Sequence, residues 1–123
     1  MAKEVTKEQK ELIRRLEKIG FNRNVAKTLV HIASNEETVS REIESIMGLR
    51  QPEVSVAVNE LKDRDWIKVR EIKKEGRGRP VHGYSLNGTI EDIVTEIREN
   101  EKKKIKEIEE NINKIEDLAK AIS

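Results

Sequence analysis

The sequence predicts a mainly α-helical chain with one small β-hairpin, an α+β arrangement that ends in a long helix. Three observations predict it. Apolar residues recur at helical spacing from Lys7 to Leu61, interrupted at Gly20 and Gly48. After Trp66 the period changes from helix to strand. From Thr89 to Ser123 there is neither Gly nor Pro, and isoleucines recur at intervals of three and four.

Residues 7–19 place Leu12, Ile13, Leu16 and Ile19 on one helical face, and Gly20 follows where a helix C-terminus favours it. Asn22 is a candidate cap for a second helix with Val25, Ala26, Leu29, Ile32 and Ala33 on its apolar side. In "TVSREIESIM", Thr38 reads as the N-cap, and Val39, Ile43, Ile46 and Met47 face inward. Gly48 then forces a turn. A fourth helix starts near Pro52, whose missing N–H costs nothing in a first turn, and buries Val54, Ala57, Val58 and Leu61. Two such helices joined by a short Gly-containing turn make a helix-turn-helix.

"IKVREIKK" and "VHGYSL" read as two strands, the second with His82, Tyr84 and Leu86 on one face. "EGRGRP" joins them. Pro80 stands at the edge of the second strand, where a missing donor is tolerated. A helix-turn-helix followed by a hairpin is the order of a winged helix. Arg77-Gly78-Arg79-Pro80 has the look of an AT-hook core, a segment that lays arginines in the A·T-rich minor groove. It occurs once, between two strands, so it reads as the tip of a wing.

In the last segment Ile90, Ile93 and Ile97 share a face. Ile105, Ile108, Ile112, Ile115, Ala119 and Ile122 then keep a 3-4-3-4-3 spacing, the a/d period of a coiled coil. Ile97 and Ile105 are eight residues apart, so the register shifts between them, as at a stutter. The organisation expected is a winged helix-turn-helix over residues 1–88 and a coiled-coil-like dimerisation helix over 89–123. The stripe suits a homodimer seam, with Ile97, Ile105, Ile108, Ile112, Ile115, Ala119 and Ile122 at the interface. The alternative is a helix folded back on its own domain, which the length disfavours. Lys102, Lys103, Lys104 and Lys106 read as a solvated face paired with Glu99, Glu101 and Glu107, or as a contact to flanking phosphate.

Composition narrows the function. The chain has no cysteine and two histidines, His31 and His82, at no ligand spacing. Disulfides and Cys-type zinc sites are excluded, and no metal or cofactor is expected. No catalytic residues are expected either, since no nucleophile–base pattern or phosphate loop occurs. Phe21, Trp66 and Tyr84 are the only aromatics, too few for a single-strand binder that stacks bases. No apolar run reaches membrane-spanning length, and no secretory signal begins the chain, so an intracellular, cytoplasmic protein is expected. The net charge of +1 hides an asymmetry. Residues 49–88 hold nine Lys or Arg against six acids, and residues 89–123 hold seven against ten. A polyanion is therefore expected to bind the middle.

"GFNRNVAKTLVHIA", "SREIESIMGLRQPEVSVAVNELKDRDWI" and "GRP…YSL" carry a resemblance. Over about 70 residues the chain is similar to archaeal winged-helix regulators of the TrmB-like group, and more loosely to MarR- and ArsR-type repressors. Two departures matter. The sugar-binding domain of longer TrmB proteins is absent, and so are the cysteine ligands of metal-sensing ArsR proteins. No effector site carries over.

The resemblance implies a transcription regulator that binds double-stranded DNA as a homodimer. A recognition helix presents its N-terminal residues and outer face to base edges. With Val54, Ala57, Val58 and Leu61 inward, the candidates are Arg50, Gln51, Ser55, Val56, Asn59 and Lys62. Gln51 and Asn59 suit adenine, Arg50 guanine, and Val56 a thymine methyl. Glu53 is awkward there, because it repels phosphate; it either accepts from a cytosine amino group or simply favours the helix dipole. Ser40 and Arg41 are candidates for the DNA backbone, and Lys73, Lys74, Arg77 and Arg79 for wing contacts. A second reading stays open: a winged helix used as a protein-interaction module in a transcription or chromatin complex. A small-molecule effector has no polar cluster in the sequence to support it.

Overall fold

The computed structural model describes residues 4–72 and 80–123. The chain divides into two compact units, Met1–Gly88 and Thr89–Ser123. The first unit runs α1 (Lys7–Lys18), α2 (Arg23–Ala33), β1 (Thr38–Val39), α3 (Ser40–Met47), α4 (Gln51–Asp63), β2 (Ile67–Ile72) and β3 (Val81–Leu86). The second is α5 (Ile90–Ile122). A helix-turn-helix followed by a small antiparallel sheet is a winged-helix fold, here with a long C-terminal helix after it.

Local chemistry fixes the helix ends. Thr6 caps α1 by accepting from the Gln9 N–H at 3.1 Å, and the Gln9 side chain accepts from the Thr6 N–H at 2.8 Å. These two bonds make a capping box. Asn22 caps α2 through the Asn24 N–H at 2.8 Å. Gly48 ends α3 in the left-handed region, φ 65°, which lets the Leu49 N–H turn back to the Glu44 carbonyl at 3.0 Å.

One element departs from the sequence reading. Thr38 does not cap α3. Thr38 and Val39 form β1, and α3 begins at Ser40 with Val39 as an N-cap that makes no side-chain bond. The Thr38 hydroxyl is engaged elsewhere. It donates to Glu42 at 3.2 Å and lies 2.9 Å from Nε2 of the buried His31. A hydroxyl has one proton to give, so Nε2 of His31 is the donor in that bond. This network ties α2, β1 and the first turn of α3 together. It also gives the buried histidine a hydrogen-bond partner.

The sheet order is β1-β3-β2, antiparallel throughout. Thr38 pairs with Tyr84 and Val39 with Gly83; on the other edge Val69 pairs with Tyr84 and Arg70 with Gly83. Side chains alternate across a strand, so Val69, Glu71, His82 and Tyr84 share one face, and Arg70 and Gly83 the other. On that second face Arg70 donates to Glu37 twice, through Nε and through Nη2 at 2.7 Å. The Arg70 guanidinium holds the Glu37 carboxyl below its ordinary value.

This clasp crosses the central strand above Gly83. A Cβ at position 83 would lie 2.8 Å from the Glu37 carboxylate and 2.9 Å from Ile72 Cδ1. Gly83→Ala is therefore expected to push Glu37 off Arg70. The cost should be on the order of 1–3 kcal/mol, as for other overpacked sites, and chemical denaturation would read it. A stability unchanged from wild type would show that the clasp yields freely.

The core of the first unit is aliphatic. Leu29, Ile32, Ile43, Val54 and Leu61 are almost fully buried, with Ile13, Leu16, Met47, Trp66 and Ile67 around them. Arg64 sits 4.9 Å from the ring centroids of both Phe21 and Trp66, so two of the three aromatics form a cation–π corner at the end of α4. In the second unit, Thr89 and Asp92 form a capping box at the start of α5. Its 33 residues make a rod about 50 Å long. Ile105, Ile108, Ile112 and Ile115 along it are each more than half exposed, as are Leu118 and Ile122.

Candidate nucleic-acid interface

The outer face of α4 follows from its buried one. Val54, Ala57, Val58 and Leu61 pack inward, so Gln51, Ser55, Asn59 and Lys62 fall on one exposed flank at helical spacing. That flank faces the sheet. Between them lies a hollow of about 500 Å³. Gln51, Ser55, Val58, Asn59 and Lys62 line one wall with Ser40 of α3, and Val69, Arg70, Glu71, His82 and Tyr84 line the wall on the sheet. The hollow offers side-chain donors from three elements: amides, hydroxyls, an ammonium and an imidazole.

The structure brings together five of the residues the sequence singled out: Ser40, Gln51, Ser55, Asn59 and Lys62. Val56 stands apart on the next flank of α4. It is 68% exposed and borders a second hollow with Pro52, Glu53 and Glu60. Arg50 is the N-cap of α4, and its side chain is 84% exposed. Arg41 is exposed on α3. Lys73, Lys74, Arg77 and Arg79 lie outside the described residues.

Glu53 has a structural role that removes its awkwardness. Its carboxylate accepts from the Arg50 backbone N–H at 2.8 Å and from Asn24 Nδ2 at 3.2 Å. The first of these bonds chiefly holds its carboxyl below the ordinary value. The charge is thus spent on starting the helix, where the dipole favours it.

The sheet wall is what sequence reasoning missed. His82 was legible as a residue sharing a face with Tyr84 and Leu86, yet only the register shows which face meets α4. Glu71 comes to the same wall because it pairs with His82. Arg70, its neighbour, also borders the hollow, while its guanidinium is held by Glu37 on the other face of the sheet.

Residues 19–78 match the family model described as the MarR family, a span that runs from the end of α1 through β2. No curated protein matches the chain. Among solved structures, Pex from Synechococcus is similar at 24% identity and a TM-score of 0.44, over 63% of this chain and 80% of that one. A PadR family transcription regulator from Clostridium difficile is similar at 19% identity and a TM-score of 0.43, over 67% and 91%. The circadian clock associated protein Pex from anabaena is similar at 22% and 0.41, over 62% and 76%.

Proposed function

We propose that the chain is a transcription regulator that binds double-stranded DNA in a sequence-specific way and acts as a homodimer. In this reading α4 enters the major groove and the basic wing lies in the adjacent minor groove. The observation that carries it is the hollow between α4 and the sheet, where Gln51, Ser55, Asn59 and Lys62 converge with Ser40. Amide side chains on an exposed recognition helix suit adenine edges, and the hydroxyls and ammonium suit phosphate. The MarR family match over the same segment supports the reading. Wing contacts by Lys73, Lys74, Arg77 and Arg79 rest on their sequence alone. A narrow A·T-rich groove attracts such arginines.

The homodimer rests on α5. A stripe of isoleucines that stay more than half exposed along a helix of 33 residues is an unusual surface for a lone helix. A second copy of α5 would bury it. Two winged units then address two half-sites. Localisation in the cytoplasm fits a regulator of this kind, and no described helix is long and apolar enough to cross a membrane.

Selection of bound duplexes from random DNA by the purified protein tests the reading. The expected result is an enriched sequence with two related half-sites about 10 base pairs apart, or a multiple of that. No enrichment over input DNA would sink it. Val56 gives a finer test. Replacing the contacted thymines by deoxyuridine removes one methyl group each. If Val56 packs on one of them, affinity should fall about fourfold, from ~0.8 kcal/mol per buried methyl-sized group. The Val56→Ala variant should show a smaller loss.

A further inference from the structure

Glu71 is the one carboxylate among the described residues that line the hollow. Its placement is set by the sheet. It pairs with His82 at the end of β2, two residues after Val69, which pairs with Tyr84. All four side chains therefore leave the sheet on the face that meets α4. Four other acids near this face are occupied. Glu53 starts α4, Glu37 holds Arg70, Glu60 pairs with Arg64 at 3.5 Å, and Glu42 accepts from Thr38. Glu71 is exposed, and among the described residues its side chain makes no hydrogen bond or ion pair.

We propose that Glu71 limits the affinity of this face for DNA: its carboxylate stands on the wall of the hollow and opposes the phosphodiester strand that the hollow receives. The proposal rests on the DNA-binding reading above and deepens it. A hollow between a helix in one groove and a wing in the next receives the sugar–phosphate ridge that separates those grooves. Ser55, Lys62 and His82 offer that ridge donors. A carboxylate among them faces a like charge at close range, where the repulsion is felt through partly desolvated surroundings. Phosphate contacts are sequence-independent, so the penalty falls on every duplex alike. Its effect is to keep the protein from accumulating on non-target DNA, while the base contacts of α4 still choose the site.

The test compares wild type with Glu71→Gln, which keeps the shape and removes the charge. Fluorescence anisotropy is measured over a range of salt, on the duplex obtained by selection and on a scrambled duplex. Glu8→Gln, a change in the first turn of α1, controls for the net charge of the whole molecule. For Glu71→Gln the dissociation constant should fall roughly fivefold to tenfold on both duplexes. The slope of log affinity against log salt should steepen by about 0.9 for each subunit, the value of one more neutralised phosphate. Glu8→Gln should stay within about twofold of wild type, as expected for a screened charge that does not line the hollow. Unchanged or weakened binding by Glu71→Gln overturns the proposal, and so does an equal gain from Glu8→Gln. Wild type that binds neither duplex overturns the DNA-binding reading itself, and this proposal with it.

Discussion

Replacing Ile108, Ile112 and Ile115 together with Lys is expected to give a folded monomer that loses at least about a hundredfold in affinity for a two-half-site duplex. Each of the three is exposed by 55–58%, so their loss opens no cavity. Helix propensity is little changed by Ile→Lys, and the α5 capping box is untouched. What goes is the proposed seam. A fully buried Ile is worth about 1.5–3 kcal/mol, and roughly half of that remains to be gained here. Three residues in each of two copies then put the loss near 6 kcal/mol, before like charges across the seam add to it. Monomers must bind two half-sites independently, and the effective-concentration gain of the second contact disappears. Sedimentation equilibrium reads the mass, circular dichroism the fold, and anisotropy the affinity. A triple variant that remains dimeric sinks the proposal that this stripe is the interface. One that is monomeric yet binds as wild type sinks the two-half-site mechanism.

The parts of this fold that were legible in the sequence are those governed by near neighbours. Gly48 and Pro52 bracket the turn because one needs a left-handed backbone, φ 65°, and the other lacks a donor. Asn22 caps α2 because its side chain reaches an amide two residues on. The outward face of α4 was readable from four buried positions. The illegible parts depend on partners far along the chain. β1 is two residues long, and its pairing partner Tyr84 lies 46 residues after Thr38. Nothing local distinguishes such a strand from a helix cap, and Thr serves either. Glu37 and Arg70 are 33 residues apart, and only the three-stranded register brings them together over Gly83. The site divides in the same way. Its helical wall could be enumerated from periodicity, whereas the sheet wall required knowing which face of the hairpin turns toward α4. Glu53 shows the opposite lesson. A charge that looked hostile to phosphate is consumed by its own helix N-terminus and Asn24.

The helical wall makes the other large prediction. Asn59 and Lys62 stand three residues apart on one flank of α4, and both are exposed. Either can be cut to Ala without touching the core. If Asn59 reads an adenine edge, Asn59→Ala should cost about 1–3 kcal/mol on the selected duplex, a loss of roughly fivefold to 150-fold. It should also relax the preference at one base pair of each half-site, and leave binding to scrambled DNA almost unchanged. If Lys62 meets phosphate, Lys62→Ala should weaken both duplexes by a similar factor and flatten the salt slope by about 0.9 for each subunit. Gln51→Ala added to Asn59→Ala should deepen the first effect, because the two amides lie two turns apart and address different base pairs. The contrast between the variants is the informative quantity. Equal losses on both duplexes from Asn59→Ala would move that residue from base reading to backbone positioning. A lost base preference in Lys62→Ala would do the reverse, and the orientation of α4 in the groove would have to be rotated to match.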